Sequence, residues 1–116
     1  MDNARISEAP LLGLFGNDTA YRVLMYLENY EKGYASQIAQ TFGVSLNQVQ
    51  NQLKKFEQLG LLLSRMEGTT RMYYFKRTPI SDALRVFLGA MLELLPETSI
   101  NQYYRERRRP RRPGKR

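Results

Sequence analysis

The chain has 116 residues, 42% of them apolar, which is enough for one small domain with a modest core. It contains no Cys and no His, which excludes disulfides, thiolate metal sites, cysteine nucleophiles and histidine bases. No apolar run is long enough to span a membrane, and the N-terminus lacks a signal-peptide pattern. We therefore expect a cytoplasmic protein with no metal and no cofactor.

The formal net charge of +7 is concentrated at the C-terminus. Residues 105–116 hold eight Arg or Lys and one Glu, so the preceding 104 residues are formally neutral. Within that neutral part, residues 44–77 carry +4, with negative sections on either side. A basic section in an otherwise balanced domain is typical of nucleic-acid binding.

The first predicted helix follows a loose polar arm at residues 1–9 and a short apolar segment, PLLGLF, that starts at Pro10. Asn17 or Asp18 can cap this helix, which is expected to run to about Tyr30. Its buried face is predicted from apolar residues at helical spacing. These residues are Ala20, Val23, Leu24 and Leu27.

Two further helices are predicted on either side of a tight turn. Ser36 is expected to cap the first of them, and Gly43 to end it in the left-handed conformation. Ser45 and Gln48 form a capping box for the second helix, which Gly60 is expected to end. Two helices joined by three or four residues that include Gly make a helix-turn-helix.

The second helix of this pair, residues 46–59, has a predicted apolar stripe of Val49, Leu53 and Phe56. Its opposite side is therefore expected to face outward, and this side is rich in carboxamides. Because Asn and Gln can bond bidentately to adenine, these side chains are candidates for reading DNA bases. The candidates are Asn47, Gln48, Gln50 and Asn51. The alternative is a solvated helix face that happens to be rich in Gln.

A β-hairpin is predicted over residues 61–76, because the period of the pattern changes to two around the turn EGTT. A hairpin directly after a helix-turn-helix is a wing. Basic side chains on the wing and on the second helix, and neutral polar side chains on the first helix, are candidates for contacting the DNA backbone. Strand-edge protection could also explain the basic residues on the hairpin. The candidates are Ser36, Gln37, Lys54, Lys55, Arg65 and Arg71.

A long helix is predicted from Thr78 and Pro79 to Pro96. Its apolar stripe is wider than one small domain needs, so we predict that it pairs two subunits, together with the N-terminal apolar segment. The alternative is that these residues are core. The predicted interface is Leu11, Leu12, Leu84, Phe87, Leu88, Met91, Leu92 and Leu95.

The predicted fold class is mainly α with a small β-hairpin, a winged helix-turn-helix with a long C-terminal dimerisation helix. The domain is expected to span residues 10–96 and to be followed by a basic Arg/Pro-rich tail, residues 97–116, that is predicted to be disordered. The tail could serve as a solubilising end, a non-specific electrostatic arm or a minor-groove reader.

The order of these elements resembles that of the winged helix-turn-helix regulators of the ArsR-like (arsenic-repressor-type) superfamily. The stretches that carry the resemblance are SQIAQTFGVSLNQVQNQLKKFEQLGLL and the hairpin EGTTRMYYF. Two further stretches are similar to one subgroup of these regulators, in which the module occurs alone or is fused to a nucleotidyltransferase. They are LFGNDTAYRVLMYLENYEKGYASQIAQ and TPISDAL. Metal-sensing members have Cys or His ligands, which this chain lacks, and it shows no nucleotidyltransferase pattern. The resemblance therefore implies DNA binding by a homodimer.

These features together predict a sequence-specific regulator of transcription that binds double-stranded DNA as a homodimer and is not an enzyme. One alternative is a winged helix that binds protein, as an adaptor or an antitoxin-like partner, without sequence-specific DNA binding. A third is RNA binding led by the Arg-rich tail. The operator, the direction of regulation and any small-molecule effector are not predicted by the sequence.

Overall fold

A computed structural model describes residue 8 and residues 12–105, and over these residues the protein is mainly α with one small antiparallel sheet. This agrees with the predicted winged helix-turn-helix. The elements in chain order are α1 (Asp18–Tyr30), β1 (Lys32–Gly33), α2 (Ala35–Phe42), α3 (Leu46–Gln58), β2 (Leu62–Glu67), β3 (Thr70–Phe75), α4 (Pro79–Leu94) and α5 (Glu97–Tyr103).

Helix α1 is the central element and is buried on nearly every side. The Asn17 side chain caps it by accepting a hydrogen bond of 2.8 Å from the backbone N–H of Ala20. The four residues predicted for its buried face are completely inaccessible to solvent. Helices α2, α3 and α4 and strand β3 all pack against α1, so it organises the core.

Helices α2 and α3 form the predicted helix-turn-helix, but α2 begins earlier than expected. Its N-cap is Tyr34, without a side-chain cap bond, and Ser36 lies exposed in the first turn, so the prediction that Ser36 caps α2 is wrong. Gly43 ends α2 with a φ of 66°, and Val44 N–H donates to the carbonyl of Ala39 at 3.1 Å. This is the Schellman arrangement that Gly permits.

The sheet has three strands in the order β1–β3–β2, one more than the sequence predicted. Strands β2 and β3 form a hairpin closed by the two residues between the paired Glu67 and Thr70. Gly68 adopts a φ of 67° in this turn, which a residue with a side chain would resist. The added strand β1 is only two residues long and pairs with the other edge of β3.

Helix α4 begins as predicted, with the Thr78 side chain accepting from Ser81 N–H at 3.2 Å and Pro79 in the first turn. It packs against α1 through its buried residues. Across this contact, Arg85 donates to Glu28, which is 5% exposed, at 2.8 Å. Because the Glu28 carboxylate is buried, this ion pair is needed to compensate its lost hydration.

A further helix, α5, follows α4 and belongs to the folded body. Tyr104 is fully buried, and its carbonyl accepts from the Asn29 side chain at 3.3 Å. Tyr103 lies against Phe42 with ring centroids 4.9 Å apart, and its carbonyl accepts from Tyr30 at 2.8 Å. The predicted domain boundary after residue 96 therefore falls too early. The predicted arm at residues 1–9, residue 8 excepted, and the basic run at 106–116 lie outside the described residues.

Among the helices of the described residues, none has the length and apolar character needed to cross a membrane.

Gly33 in β1 gives a direct test of the packing between the sheet and α1. A Cβ atom at this position would lie 2.7 Å from Cε1 of Tyr26, so Gly33→Ala must displace a buried ring. We expect the free energy of unfolding, measured by urea denaturation, to fall by about 1–3 kcal/mol. Gly13→Ala is the control, because its Cβ would meet no atom within 4 Å, and it should change stability by less than about 0.5 kcal/mol. Equal effects of the two changes would contradict this packing.

Candidate nucleic-acid interface

The exposed side of α3 gathers the four carboxamides predicted to read bases. Its apolar stripe of Val49, Leu53 and Phe56 is buried and turns the opposite side towards solvent. Its exposed polar residues are five carboxamides and one lysine. They are Asn47, Gln48, Gln50, Asn51, Gln58 and Lys54. Helix α3 thus presents a continuous polar surface with many hydrogen-bond donors and acceptors.

Both ends of α3 are fixed by local hydrogen bonds. At its start, the Ser45 side chain accepts from Gln48 N–H at 3.1 Å, as the capping box predicts. At its end, Gly60 adopts a φ of 83°, its N–H donates to Glu57, and Leu61 N–H donates to Phe56, both at 3.0 Å. These bonds limit fraying and hold the carboxamides in place relative to the hairpin that follows.

Gln52 departs from the run of exposed amides. Its side chain is partly buried, and its buried Oε1 has no hydrogen-bond partner among residue 8 and residues 12–105. The helical period explains the difference, because position 52 lies one turn from the buried Val49 and Phe56, on the inner half of the helix. Leu46, by contrast, is 44% exposed at the start of α3 and adds an apolar group to the candidate surface.

The candidate backbone contacts on the helices differ in exposure. Lys54 is exposed, whereas Lys55 is half-buried, with its Nζ 4.9 Å from the centre of the Phe56 ring. Ser36 is exposed on the first turn of α2. Gln37 is half-buried and lines a cavity beside α1. Lys54 and Ser36 are therefore the most accessible of these four.

Arg71 lies on the face of the hairpin that packs towards the helices. It donates to the Ser64 hydroxyl at 3.0 Å, and Ser64 donates to the Glu57 carboxylate at 2.8 Å. Tyr73 lies beside this chain of bonds, and burial, together with the nearby Glu57 charge, raises the pKa of its hydroxyl above the usual value. These contacts tie the hairpin to the last turn of α3.

Arg65 lies on the opposite face of the hairpin. The register pairs Arg65 with Met72 and Arg71 with Met66, so the two arginines cannot share a face. The guanidinium of Arg65 is 4.6 Å from the centre of the Tyr74 ring, and its Nε is 3.4 Å from a carboxylate oxygen of Glu67. The Glu67 carboxylate also accepts a hydrogen bond from Tyr74 and forms an ion pair with Lys32. The structure thus brings Arg71, but not Arg65, together with α3.

The predicted subunit interface divides into two sets. Leu88, Met91, Leu92 and Leu95 are at most 5% exposed within the single chain and form part of its core. Phe87 is 47% exposed. Leu84 and Leu12 are partly buried against the core, and Leu11 is outside the described residues. Most of the predicted stripe is therefore buried in the protein's own core, because α4 packs against α1 on that side.

The outer side of α4 nevertheless carries a second apolar set. Ile80 and Val86 are 70% and 71% exposed, and Leu94 is 40% exposed. With Phe87, they leave an apolar surface along the whole helix, which we call the α4 outer face. The sequence signal for it was the excess width of the stripe, but the pattern alone did not reveal which residues α1 would cover.

Within residue 8 and residues 12–105, no group of three or more Asp, Glu, Cys or His side chains is arranged to hold a metal ion.

Residues 12–78 match the family described as "uncharacterized protein conserved in archaea (DUF2250)". The match covers more than half of the 116 residues. The chain belongs to this family. The matched segment contains α1, the helix-turn-helix and the whole hairpin, and it ends at the cap of α4. The match therefore includes the segment that carries the candidate surface, while most of α4 and all of α5 lie beyond it. A search of curated proteins gave no match to the chain.

Proposed function

We propose that this protein is a transcriptional regulator that binds double-stranded DNA sequence-specifically as a homodimer, with α3 in the major groove and the β2–β3 hairpin as the wing. The observation that carries the proposal is the exposed carboxamide side of α3, held by caps at both ends. A capped, exposed helix following a short turn is the geometry with which helix-turn-helix proteins enter the groove. The resemblance to ArsR-like regulators supports the same conclusion.

Base reading is assigned to the N-terminal half of α3. Asn47, Gln48, Gln50 and Asn51 are exposed there, and each carries both a donor and an acceptor for the edge of adenine. The exposed Leu46 adds an apolar group suited to a thymine methyl. The preferred sites should therefore be rich in A·T pairs at the positions under α3.

Backbone anchoring is assigned to basic and polar groups around this helix. Lys54 follows the carboxamides along α3, and Arg71 is attached to the end of the same helix through Ser64 and Glu57. Ser36, at the start of α2, provides a hydroxyl for a phosphate. Lys55, Gln37 and Arg65 are less accessible or face elsewhere, so we assign them smaller contributions.

Dimerisation is assigned to the α4 outer face. Exposed Val86 and Phe87 give an apolar surface that a second copy can cover symmetrically. Two copies related by a two-fold axis would place their α3 helices about 34 Å apart, so the operator should be a palindrome. The proposal includes no catalysis, and it places the protein in the cytoplasm with the DNA.

Selection of bound sequences from random DNA tests the proposal and assigns the side chains. We expect a palindromic consensus. Asn51→Ala and Gln50→Ala should relax the preference at individual positions by about 1–3 kcal/mol, while Lys54→Ala should weaken binding to every sequence alike. Gln58→Ala is the matched control, because it removes an exposed carboxamide at the far end of the same helix. Absence of any enriched sequence would reject the regulator and favour a protein-binding module.

The dimer is tested by placing a charge on the α4 outer face. Phe87→Glu should halve the mass measured by light scattering after gel filtration, because two carboxylates would be buried at the symmetric contact. Leu59→Glu is the control, since Leu59 is 66% exposed but does not lie on α4, and it should leave the mass unchanged. A monomeric parent protein, or a Phe87→Glu protein that remains dimeric, would contradict the assignment.

Deletion of residues 105–116 tests the basic tail. Because the rest of the chain is formally neutral, the deletion should lower the affinity for DNA of any sequence. The plot of log binding constant against log salt concentration should become less steep, by about 0.9 for each phosphate that residues 105–116 neutralise. The selected sequence should not change. Tyr103 packs on Phe42 of α2, so the deleted segment begins beside the helix-turn-helix. Unchanged affinity and slope would exclude this role.

A further inference from the structure

A cavity of about 290 Å³ lies where α1, β1, α2 and β3 meet. Its size is close to the lower end of small-molecule sites, about 300 Å³. Neither the carboxamide side of α3 nor the α4 outer face contributes to it. Three tyrosines, a lysine, a methionine and two polar residues of α2 line it: Tyr26, Tyr30, Tyr34, Lys32, Met72, Gln37 and Thr41.

Aromatic side chains form much of the cavity wall. Tyr26 and Tyr30 lie one turn apart on α1, with ring centroids 4.5 Å apart and ring planes inclined by 41°. Tyr34 contributes a third ring from the start of α2, and Met72 contributes a thioether from β3. Aromatic and thioether surfaces of this kind favour a flat, polarisable ring over a flexible chain.

Lys32 provides the charge of the cavity. Among the residues that line the cavity, Lys32 carries the formal charge. Its Nζ is 3.5 Å from a carboxylate oxygen of Glu67, a residue outside the cavity lining. The Lys32 side chain is 37% exposed, so part of it reaches solvent while the ammonium group is paired with Glu67. Because an ammonium group has three donors, it can contact Glu67 and a bound anion at the same time.

Polar groups of α2 complete the site. Gln37 offers its side-chain carboxamide. The Thr41 hydroxyl donates to the backbone carbonyl of Gln37 at 2.9 Å, so its oxygen can still accept a hydrogen bond from a ligand. A few polar groups around an aromatic wall are what orient a small ligand. The arrangement therefore suits a molecule with one ring and one acidic substituent.

We propose that this cavity binds a small planar aromatic acid, with its ring among the three tyrosines and its carboxylate at Lys32. Gln37 belongs to α2 and Met72 to the hairpin, so an occupant would contact both elements, on the hairpin face opposite Arg71. Binding itself does not depend on the proposed function. A test without DNA therefore keeps the two conclusions separate.

Three probes of similar size distinguish the two features of the ligand. Benzoate has both the ring and the charge, benzamide lacks the charge, and cyclohexanecarboxylate lacks the aromatic ring. In amide NMR titrations of the full chain, we expect benzoate to bind with a dissociation constant on the order of 1 mM. Its shifts should cluster at the cavity residues, and each of the other probes should bind at least about fivefold more weakly.

Variants at Lys32 complete the test. Lys32→Gln should weaken benzoate binding at least about fivefold and leave benzamide unchanged, while Lys32→Arg should keep most of the benzoate affinity. Lys76→Gln is the control, because it removes an exposed lysine that does not line the cavity. Equal binding of the three probes, shifts spread over the surface, or full benzoate affinity in Lys32→Gln would overturn the proposal. The amide spectrum itself reports whether each variant is folded.

Discussion

The packing of α3 on α1 is the contact on which the rest of the structure depends. Val49, Leu53 and Phe56 are buried against a helix that is itself inaccessible along most of its length. Because a helix has a fixed period, burying this stripe determines which side chains point outward. The caps at Ser45 and Gly60 then set where the helix starts and where the hairpin begins. One apolar contact thus positions both the carboxamide side and the wing.

Local signals explain why this region could be predicted from the sequence. Helix α3 was expected over residues 46–59 and is found at Leu46–Gln58, and the hairpin expected over 61–76 is found with its turn at Gly68. Caps, glycines with positive φ and apolar spacing all act within a few residues of one another. Such signals do not depend on how the remaining elements are arranged.

The elements that the sequence did not reveal are held by distant contacts. Strand β1 has two residues and exists because it pairs with Tyr73 and Tyr74, about forty positions further along the chain. Helix α5 is retained because Tyr104 fits between α1 and α2. The division of α4 into core and exposed sides depends on where α1 lies. None of these contacts leaves a periodic pattern that can be recognised before the fold is known.

The two hairpin arginines show why charge alone is a poor guide to the candidate site. A strand alternates its side chains, so Arg65 and Arg71 contribute equally to the +4 of residues 44–77 but lie on opposite faces. Arg71 joins the hairpin to the end of α3 through Ser64, so the wing and α3 should move as one body. Arg65 instead belongs, with Glu67, to an ion-pair cluster on the far face. The positive charge available beside α3 is therefore smaller than the sequence total. In the proposed regulator, this gives the carboxamides a greater share in selecting the DNA site and residues 105–116 a greater share in general affinity.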